Sequence, residues 1–166
     1  MMSVMNKLII LGPSAGGKST LMRYLREHTD LHVMEMDEEI VELNDGKWPT
    51  DDEYRNTVLV PKITKKIIAK DKVVYLSSYV PDDLAKEAKE KGFKILLLDV
   101  GLEQLKKRDD KRIKEEKYES VAGYFDVQLK GFERLKKKEL IDTVIDGHRP
   151  TEQIAEHIVK LANKNA

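Results

Sequence analysis

Residues 7–28 read KLIILGPSAGGKSTLMRYLREH, and no other stretch of the chain constrains the fold as tightly. The run Leu8–Leu11 is continuously apolar, the pattern of a strand buried on both faces. Leu21, Tyr24 and Leu25 recur at helical spacing, so Lys18–His28 is read as a helix. Between them, Gly12-Pro13-Ser14-Ala15-Gly16-Gly17-Lys18-Ser19 fits G-x-x-x-x-G-K-[ST]. A strand that enters a helix N-terminus through such a turn aims several backbone N–H groups at one point. The glycines keep Cβ atoms out of the way, and the helix end adds a partial positive charge. The stretch therefore predicts a phosphate cradle formed by Gly12, Ser14, Ala15, Gly16, Gly17, Lys18, Ser19 and Thr20. Lys18 supplies charge for the β- and γ-phosphates, and the Ser19 hydroxyl is the expected metal ligand, for Mg²⁺. The implied ligand is a nucleoside triphosphate, ATP with Mg²⁺.

The rest of the chain alternates in type. Further strands are expected at Leu31–Met36, Val73–Leu76, Phe93–Leu98 and Thr143–Ile145. Helices are expected at Asp37–Leu43 with Asp37 as its cap, Asp51–Lys70, Pro81–Lys91 ending at Gly92, and Thr151–Leu161. Val58, Ile63, Ile67 and Ile68 mark the inner face of the second of these. Leu102–Lys138 is a long, charged, largely helical region broken near Ser120–Gly123, and residues 162–166 read as a frayed end. Apolar strands alternating with helices predict an α/β fold with a parallel sheet covered on both faces. At 166 residues, without repeats or a low-complexity linker, a single domain is expected.

Composition removes several function classes. Thirty basic residues balance thirty acidic ones, so overall charge draws the chain to neither nucleic acid nor an acidic membrane. There is no cysteine, which excludes disulfides, zinc–thiolate sites and thiol catalysis and fits a cytoplasmic location. No apolar run approaches the ~18 residues of a membrane span, and Met1–Lys7 lacks the apolar stretch of a signal peptide. The oligomeric state is not legible. There is no Asn-Lys-x-Asp stretch to read guanine. The third strand ends Val74-Tyr75-Leu76-Ser77-Ser78, where larger ATPases place Asp-Glu.

With these segments in view, the chain resembles the small P-loop kinases, the group of gluconate, shikimate and adenylate kinases. The phosphate loop lies near the start, and HVMEMDEEI is a second strand ending in acids. DGKWPTDDEYR resembles the Gly-x-Pro-Leu-x-Asp-x-Asp-Arg stretch of gluconate kinases, with Arg55 at the arginine position. LEQLKKRDDKR is similar to their lid, VQLKGFERL to the segment after it, and IDTVIDGHRPTEQIAEHI to the closing strand, turn and helix. The departures concern the acceptor. No histidine-bearing loop follows Asp37, and Ser77-Ser78-Tyr79 stands where shikimate kinases carry a glycine-rich loop.

The resemblance implies a sheet order of 2-3-1-4-5, an acceptor lobe at about 38–70 and a helical lid at about 108–124. It implies transfer of the γ-phosphoryl of Mg-ATP to a small metabolite. A gluconate-like sugar acid is the first expectation, and a nucleoside monophosphate, nucleoside or shikimate-type acceptor the alternative. An ATP-binding switch or binding module is the alternative of another class. A nucleic-acid 5′-hydroxyl acceptor, followed by lysines such as Lys106, Lys111 and Lys136, is less expected than a small molecule.

Glu35 and Asp37, two apart at the end of a strand, share a face. One is the expected base or holder of a Mg²⁺ water, the alternative being a cap and a solvated acid. Arg55 is the expected clamp for an acceptor anion, the alternative being a solvated arginine paired with Asp51 or Asp52. Arg108 and Arg112, four apart and so on one helix face, are the expected lid arginines, within a charge run that also offers an Asp110–Lys114 pair. The expected catalytic set is Lys18, Asp37, Glu35, Arg108 and Arg112, with Asp37 and Arg55 on the acceptor. Tyr118, Tyr124 and Phe125 are read as packing for the lid's return, and Trp48 as an anchor for its lobe. Asp146–Pro150 is the expected base-side turn, with His148 read as a turn residue.

Overall fold

The computed structural model describes residues 6–163. The sequence readings on residues 1–5 and 164–166 lie outside the described residues. Five strands form one parallel sheet: β1 (Lys7–Leu11), β2 (Val33–Glu35), β3 (Val73–Ser77), β4 (Lys94–Asp99) and β5 (Thr143–Asp146), in the order β2-β3-β1-β4-β5. β1 lies at the centre, with Ile9 beside Tyr75 of β3 and Ile95 of β4.

The apolar runs follow from burial on two sides. Leu8 and Ile10 pack with Val74, Leu76, Leu96 and Leu98 against α1 (Lys18–His28) and α8 (Thr151–Ala162). Ile9 and Leu11 face the other way with Tyr75, Ile95 and Leu97. That face is covered by α2 (Met36–Leu43), α4 (Val60–Ile68), α5 (Asp82–Glu90) and α7 (Phe125–Lys137). Leu8–Leu11 are wholly inaccessible to solvent. Each such side chain is worth about 1.5–3 kcal/mol relative to exposure, which fixes the strand register. A third, smaller cluster joins Val100, Leu105 of α6 (Leu102–Glu116) and Phe125 to Ala15 of the glycine-rich loop.

Several local expectations change. β2 is shorter than Leu31–Met36, because Met36 already begins α2. The expected helix Asp51–Lys70 contains a wide turn. It runs from α3 (Asp52–Tyr54) through a π-helical turn at Arg55–Leu59, closed by the Val60 N–H donating to the Arg55 carbonyl, into α4. The extra residue in that turn shifts the helical phase. Leu59 is buried and Arg55 is only 6% exposed, whereas Val58 is 46% exposed rather than on the inner face. On α6 the i,i+4 pair is Lys111–Glu115 at 4.0 Å, not Asp110–Lys114. Phe125 is core, but Tyr118 and Tyr124 are exposed. Ala162, expected to fray, is the buried last residue of α8.

Candidate active site

The carboxyl ends of the parallel strands meet a cleft of about 570 Å³. β1 has β3 on one side and β4 on the other, so its neighbours' connections leave in opposite directions, the place where open α/β sheets bind ligands. The loop after β1 forms the floor. The Gly12 N–H donates to the Ser77 carbonyl (3.1 Å), fastening the start of the turn to β3. The Gly16 N–H donates to the Pro13 carbonyl (2.9 Å), and a Cβ on Gly16 would lie 2.7 Å from that oxygen. Gly17, the residue before α1, has φ +93°, and Ala15 reaches φ +62° despite its side chain. The turn is thus closed by its own backbone. Ser14, Ala15, Gly16, Gly17, Lys18, Ser19 and Thr20 all line the cleft, while Gly12 packs beneath against the Lys18 stem.

Lys18 is folded back onto the loop. Its Nζ donates to the carbonyls of Gly12 (2.7 Å) and Pro13 (2.8 Å). Burial lowers its pKa to about 8, opposed by the charges of Asp37 and Glu35. Phosphate oxygens would supply the negative charge that this ammonium lacks.

The two acids have different surroundings. Glu35, not Asp37, caps α2: its carboxylate accepts from the N–H groups of Asp37 (3.1 Å) and Glu38 (3.0 Å). It is 6% exposed, and burial followed by the charge of Asp37 pushes its pKa up to about 7. Asp37 sits in the first turn of α2 and lines the cleft. Its pKa is also raised by burial, with Lys18 and then Arg55 pulling it back down. The capping expectation for Asp37 fails because α2 begins at Met36, which leaves Glu35 as the residue before the first turn and makes the N–H of Asp37 one of the capped donors.

The roof comes from α6. Arg108 and Arg112 line the cleft together, as their four-residue spacing requires. Arg108 donates to the Gly147 carbonyl (3.2 Å), and its Nη1 lies 3.5 Å from the Ala15 carbonyl. The Arg112 guanidinium lies 4.8 Å from the Tyr118 ring centroid, so this exposed tyrosine serves the arginine rather than the core. Six basic side chains line the cleft (Lys18, Arg23, Arg108, Lys111, Arg112, Arg149) against three acidic ones (Glu35, Asp37, Glu116). The lining is thus locally basic in a chain of zero net charge.

Arg55 stands beside this cleft rather than in its lining. It pairs with Asp52 (2.7 Å), and its guanidinium lies 5.3 Å from the Trp48 ring and 5.6 Å from the Tyr124 ring. It is therefore not a solvated helix arginine. Trp48 is 47% exposed, so it is not a buried anchor, and Tyr124 reaches Arg55 from the segment between α6 and α7. Ser77 is buried and spends its hydroxyl on Tyr79, donating to its carbonyl (2.6 Å) and accepting from its N–H (3.1 Å). Ser78 lines the cleft. His148 is a turn residue whose N–H donates to Asp146 (2.9 Å).

Asp109 and Gln128 support the site without any sequence signal of their own, whereas Arg149 falls in the expected base-side turn Asp146–Pro150. Asp109 is 3% exposed on α6 and accepts from the Ser120 hydroxyl (2.7 Å) and the Val121 N–H (2.9 Å), holding the chain's return to α6. Gln128 on α7 reaches Ser14, and Arg149 lines the cleft from the β5–α8 turn. An aspartate inside a charge run and an unremarkable glutamine carry no periodic signal.

The cradle suits Mg²⁺ with a triphosphate only if the phosphates complete the coordination. Among the described residues no three His, Cys, Asp or Glu side chains converge as a metal site. The protein's contributions would be the Ser19 hydroxyl and, through water, Asp37.

No family model and no curated protein matches the chain in sequence. Solved structures match it along nearly its whole length. It is 18% identical to shikimate kinase from Acinetobacter baumannii in complex with shikimate (TM-score 0.70, 95% of this chain and 92% of that one). It is 18% identical to shikimate kinase from Aquifex aeolicus (TM-score 0.66, 92% of each chain). It is 17% identical to a gluconokinase from Sinorhizobium meliloti (TM-score 0.59, 96% and 94%). The chain has the fold of the small P-loop kinases, with the expected strand order. Among the described residues no helix is long and apolar enough to cross a membrane.

Proposed function

We propose that this protein is a kinase that moves the γ-phosphoryl group of Mg-ATP to a hydroxyl of a small, anion-bearing metabolite. The observation that carries the reading is the meeting of the glycine-rich turn, Lys18, Asp37 and the two arginines Arg108 and Arg112 around one cleft. Phosphoryl transfer needs positioned charge more than covalent chemistry, and that set supplies it. The fold shared with shikimate kinases and a gluconokinase agrees with it.

The acceptor hydroxyl oxygen forms a bond to the γ-phosphorus, the bond from that phosphorus to the bridging oxygen breaks, and ADP leaves. Asp37 takes the hydroxyl proton, since it faces the cleft while both Glu35 oxygens are engaged by backbone N–H groups. Glu35 orients Asp37. Gly17 to Thr20 present their N–H groups to the phosphates, Lys18 swings from the loop carbonyls to the β/γ side, and the Ser19 hydroxyl would hold Mg²⁺. Mg²⁺ supplies neutralisation of the phosphate charge. Arg108 and Arg112, in a lid at about 108–124, stabilise charge on the transferring group and exclude water.

The acceptor lobe, about 38–70, holds the metabolite. Arg55 is nearly buried, yet Asp52 is the one hydrogen-bond partner of its guanidinium among the described residues. It is suited to a carboxylate, which favours a sugar acid or a shikimate-type acid over an uncharged nucleoside. Trp48 and Tyr124, beside Arg55, give that subsite two ring faces.

The test is ADP release with Mg-ATP across a panel of acceptors: gluconate and other sugar acids, shikimate, nucleosides, nucleoside monophosphates and a 5′-hydroxyl oligonucleotide. Lys18→Ala serves as the blank. Strong stimulation by one carboxylated acceptor, absent in the variant, is the expected result. ATP binding with no stimulation by any acceptor overturns the kinase reading and leaves a nucleotide-binding module.

A further inference from the structure

Ser14 does not point its polar groups only at a ligand. Its N–H donates to Gln128 Oε1 (2.8 Å), and Gln128 Nε2 donates back to its hydroxyl (2.9 Å). The two residues are 114 positions apart, so this paired contact ties α7 to the glycine-rich turn. It does so where the turn is most strained, because the next residue is Ala15 with φ +62°. Ala15 is packed against the cluster of Val100, Leu105 and Phe125, against which Leu129 of α7 also packs. Ser14 directly follows Gly12 and Pro13, whose carbonyls hold the Lys18 ammonium. Lysine at this motif position serves the β- and γ-phosphates, so the Ser14–Gln128 contact braces the part of the loop that holds this ammonium.

We propose that Gln128 is a positioning residue for the γ side of the nucleotide site, acting through Ser14 on the outer turn of the loop. This rests on the kinase reading above. The amide side chain satisfies a loop N–H that would otherwise turn towards water or compete for phosphate, and it holds the Ala15 kink in place. The γ-phosphate then meets a turn that is already shaped, whereas a nucleotide ending at the β-phosphate depends mainly on the amides at the start of α1.

Calorimetric titration separates these two ends. The titrants are Mg-ADP and a Mg-ATP analogue with a non-cleavable β–γ bridge. The proteins are the parent, Gln128→Ala, Gln128→Leu, Ser14→Ala and the double variant Ser14→Ala with Gln128→Ala. Gln128→Leu is included because it keeps the bulk of the side chain. Both Gln128 variants are expected to weaken the ATP analogue roughly tenfold, the scale of one lost hydrogen bond near a charged group, and Mg-ADP by much less. The double variant is expected to lose no more than the weaker-binding single one, because both act through the same contact. Equal weakening of the two nucleotides, unchanged binding, or losses that add in the double variant overturn the proposal. If the parent protein binds neither nucleotide, the kinase reading itself fails and this inference falls with it.

Discussion

The carboxylate of Glu35 accepts the N–H of Asp37 (3.1 Å), and this one contact divides the labour of two acids that the sequence presents as a pair. Glu35 is fixed and buried as the cap of α2, while Asp37, on the next turn of chain, faces the cleft. Asp37→Asn should keep the fold and lower kcat by about 10²–10⁴, the usual reach of a general base, with a much smaller loss of Mg-nucleotide affinity. Steady-state kinetics beside nucleotide titration checks this. A loss confined to KM for the acceptor would mean that Asp37 binds without taking the proton.

Glu35 also gives the fold a pH signature. Its pKa rises from 4.5 to about 7 in the folded chain. The folded state therefore holds a proton that the unfolded chain releases. The contribution is greatest below 4.5, declines as pH rises through 4.5–7, and is flat above. The full span is at most about 3 kcal/mol. Urea unfolding at pH 5 and pH 7.5 should show the parent losing stability relative to Glu35→Gln over that interval, after subtraction of the variant's constant offset from its weakened cap. Parallel pH dependence in the two proteins would contradict it.

The broad architecture is legible in the apolar runs, since a buried parallel strand needs no partner-specific information to be recognised. Leu8–Leu11 and Ile95–Leu98 are inaccessible because both faces are covered, and their composition says as much. The glycine-rich turn between β1 and α1 is legible because its backbone geometry demands particular residues. What escapes a linear reading is local geometry and long range. The π-helical turn at Arg55–Leu59 turns Val58 out and buries Arg55, and nothing in the spacing announces one extra residue per turn. The choice between Glu35 and Asp37 as cap depends on where the strand ends and the helix begins, which the spacing leaves open by two residues. Gln128 and Ser14 meet only through the fold.

Lys18 should make nucleotide binding sensitive to alkali. In the free chain burial lowers its pKa to about 8. Phosphates around it raise that value, so binding above pH 8 must take up a proton and affinity should fall as pH rises past 8. The expected loss is up to about tenfold per pH unit until the bound-state pKa is reached. Titration of Mg-ADP at pH 7 and pH 9.5 measures it. Lys18→Arg, which stays charged, should show no such slope even if its affinity is lower throughout.

Asp109 should matter to the lid more than to the nucleotide floor. It is buried on α6 and holds Ser120 and Val121, which bring the chain back across the cleft. Asp109→Ala leaves both donors without that partner, at a cost of about 1–3 kcal/mol. Hydrogen exchange should accelerate in residues 117–124 while the strands keep their protection, and kcat should fall further than Mg-ADP affinity. Uniform acceleration across the sheet would assign Asp109 to global stability instead.

The chain has one tryptophan, and it lies beside the arginine assigned to the acceptor. Trp48 is 47% exposed, with the Arg55 guanidinium 5.3 Å from its ring, so its emission reports on what occupies that lobe. A carboxylated acceptor drawn to Arg55 would displace water from the indole and change the field across it. Titration with the acceptor identified by ADP release should therefore shift or quench the emission saturably, at a concentration matching its KM under conditions where KM reports affinity. Arg55→Lys keeps the charge but loses the planar two-point donor, and should weaken that response about tenfold or more without altering Mg-ADP affinity. Because Arg55 is also packed against Tyr124 and paired with Asp52, its melting temperature must be compared first. A stable Arg55→Lys protein with an unchanged acceptor titration would place the anion elsewhere, with Arg112 as the next candidate in the cleft.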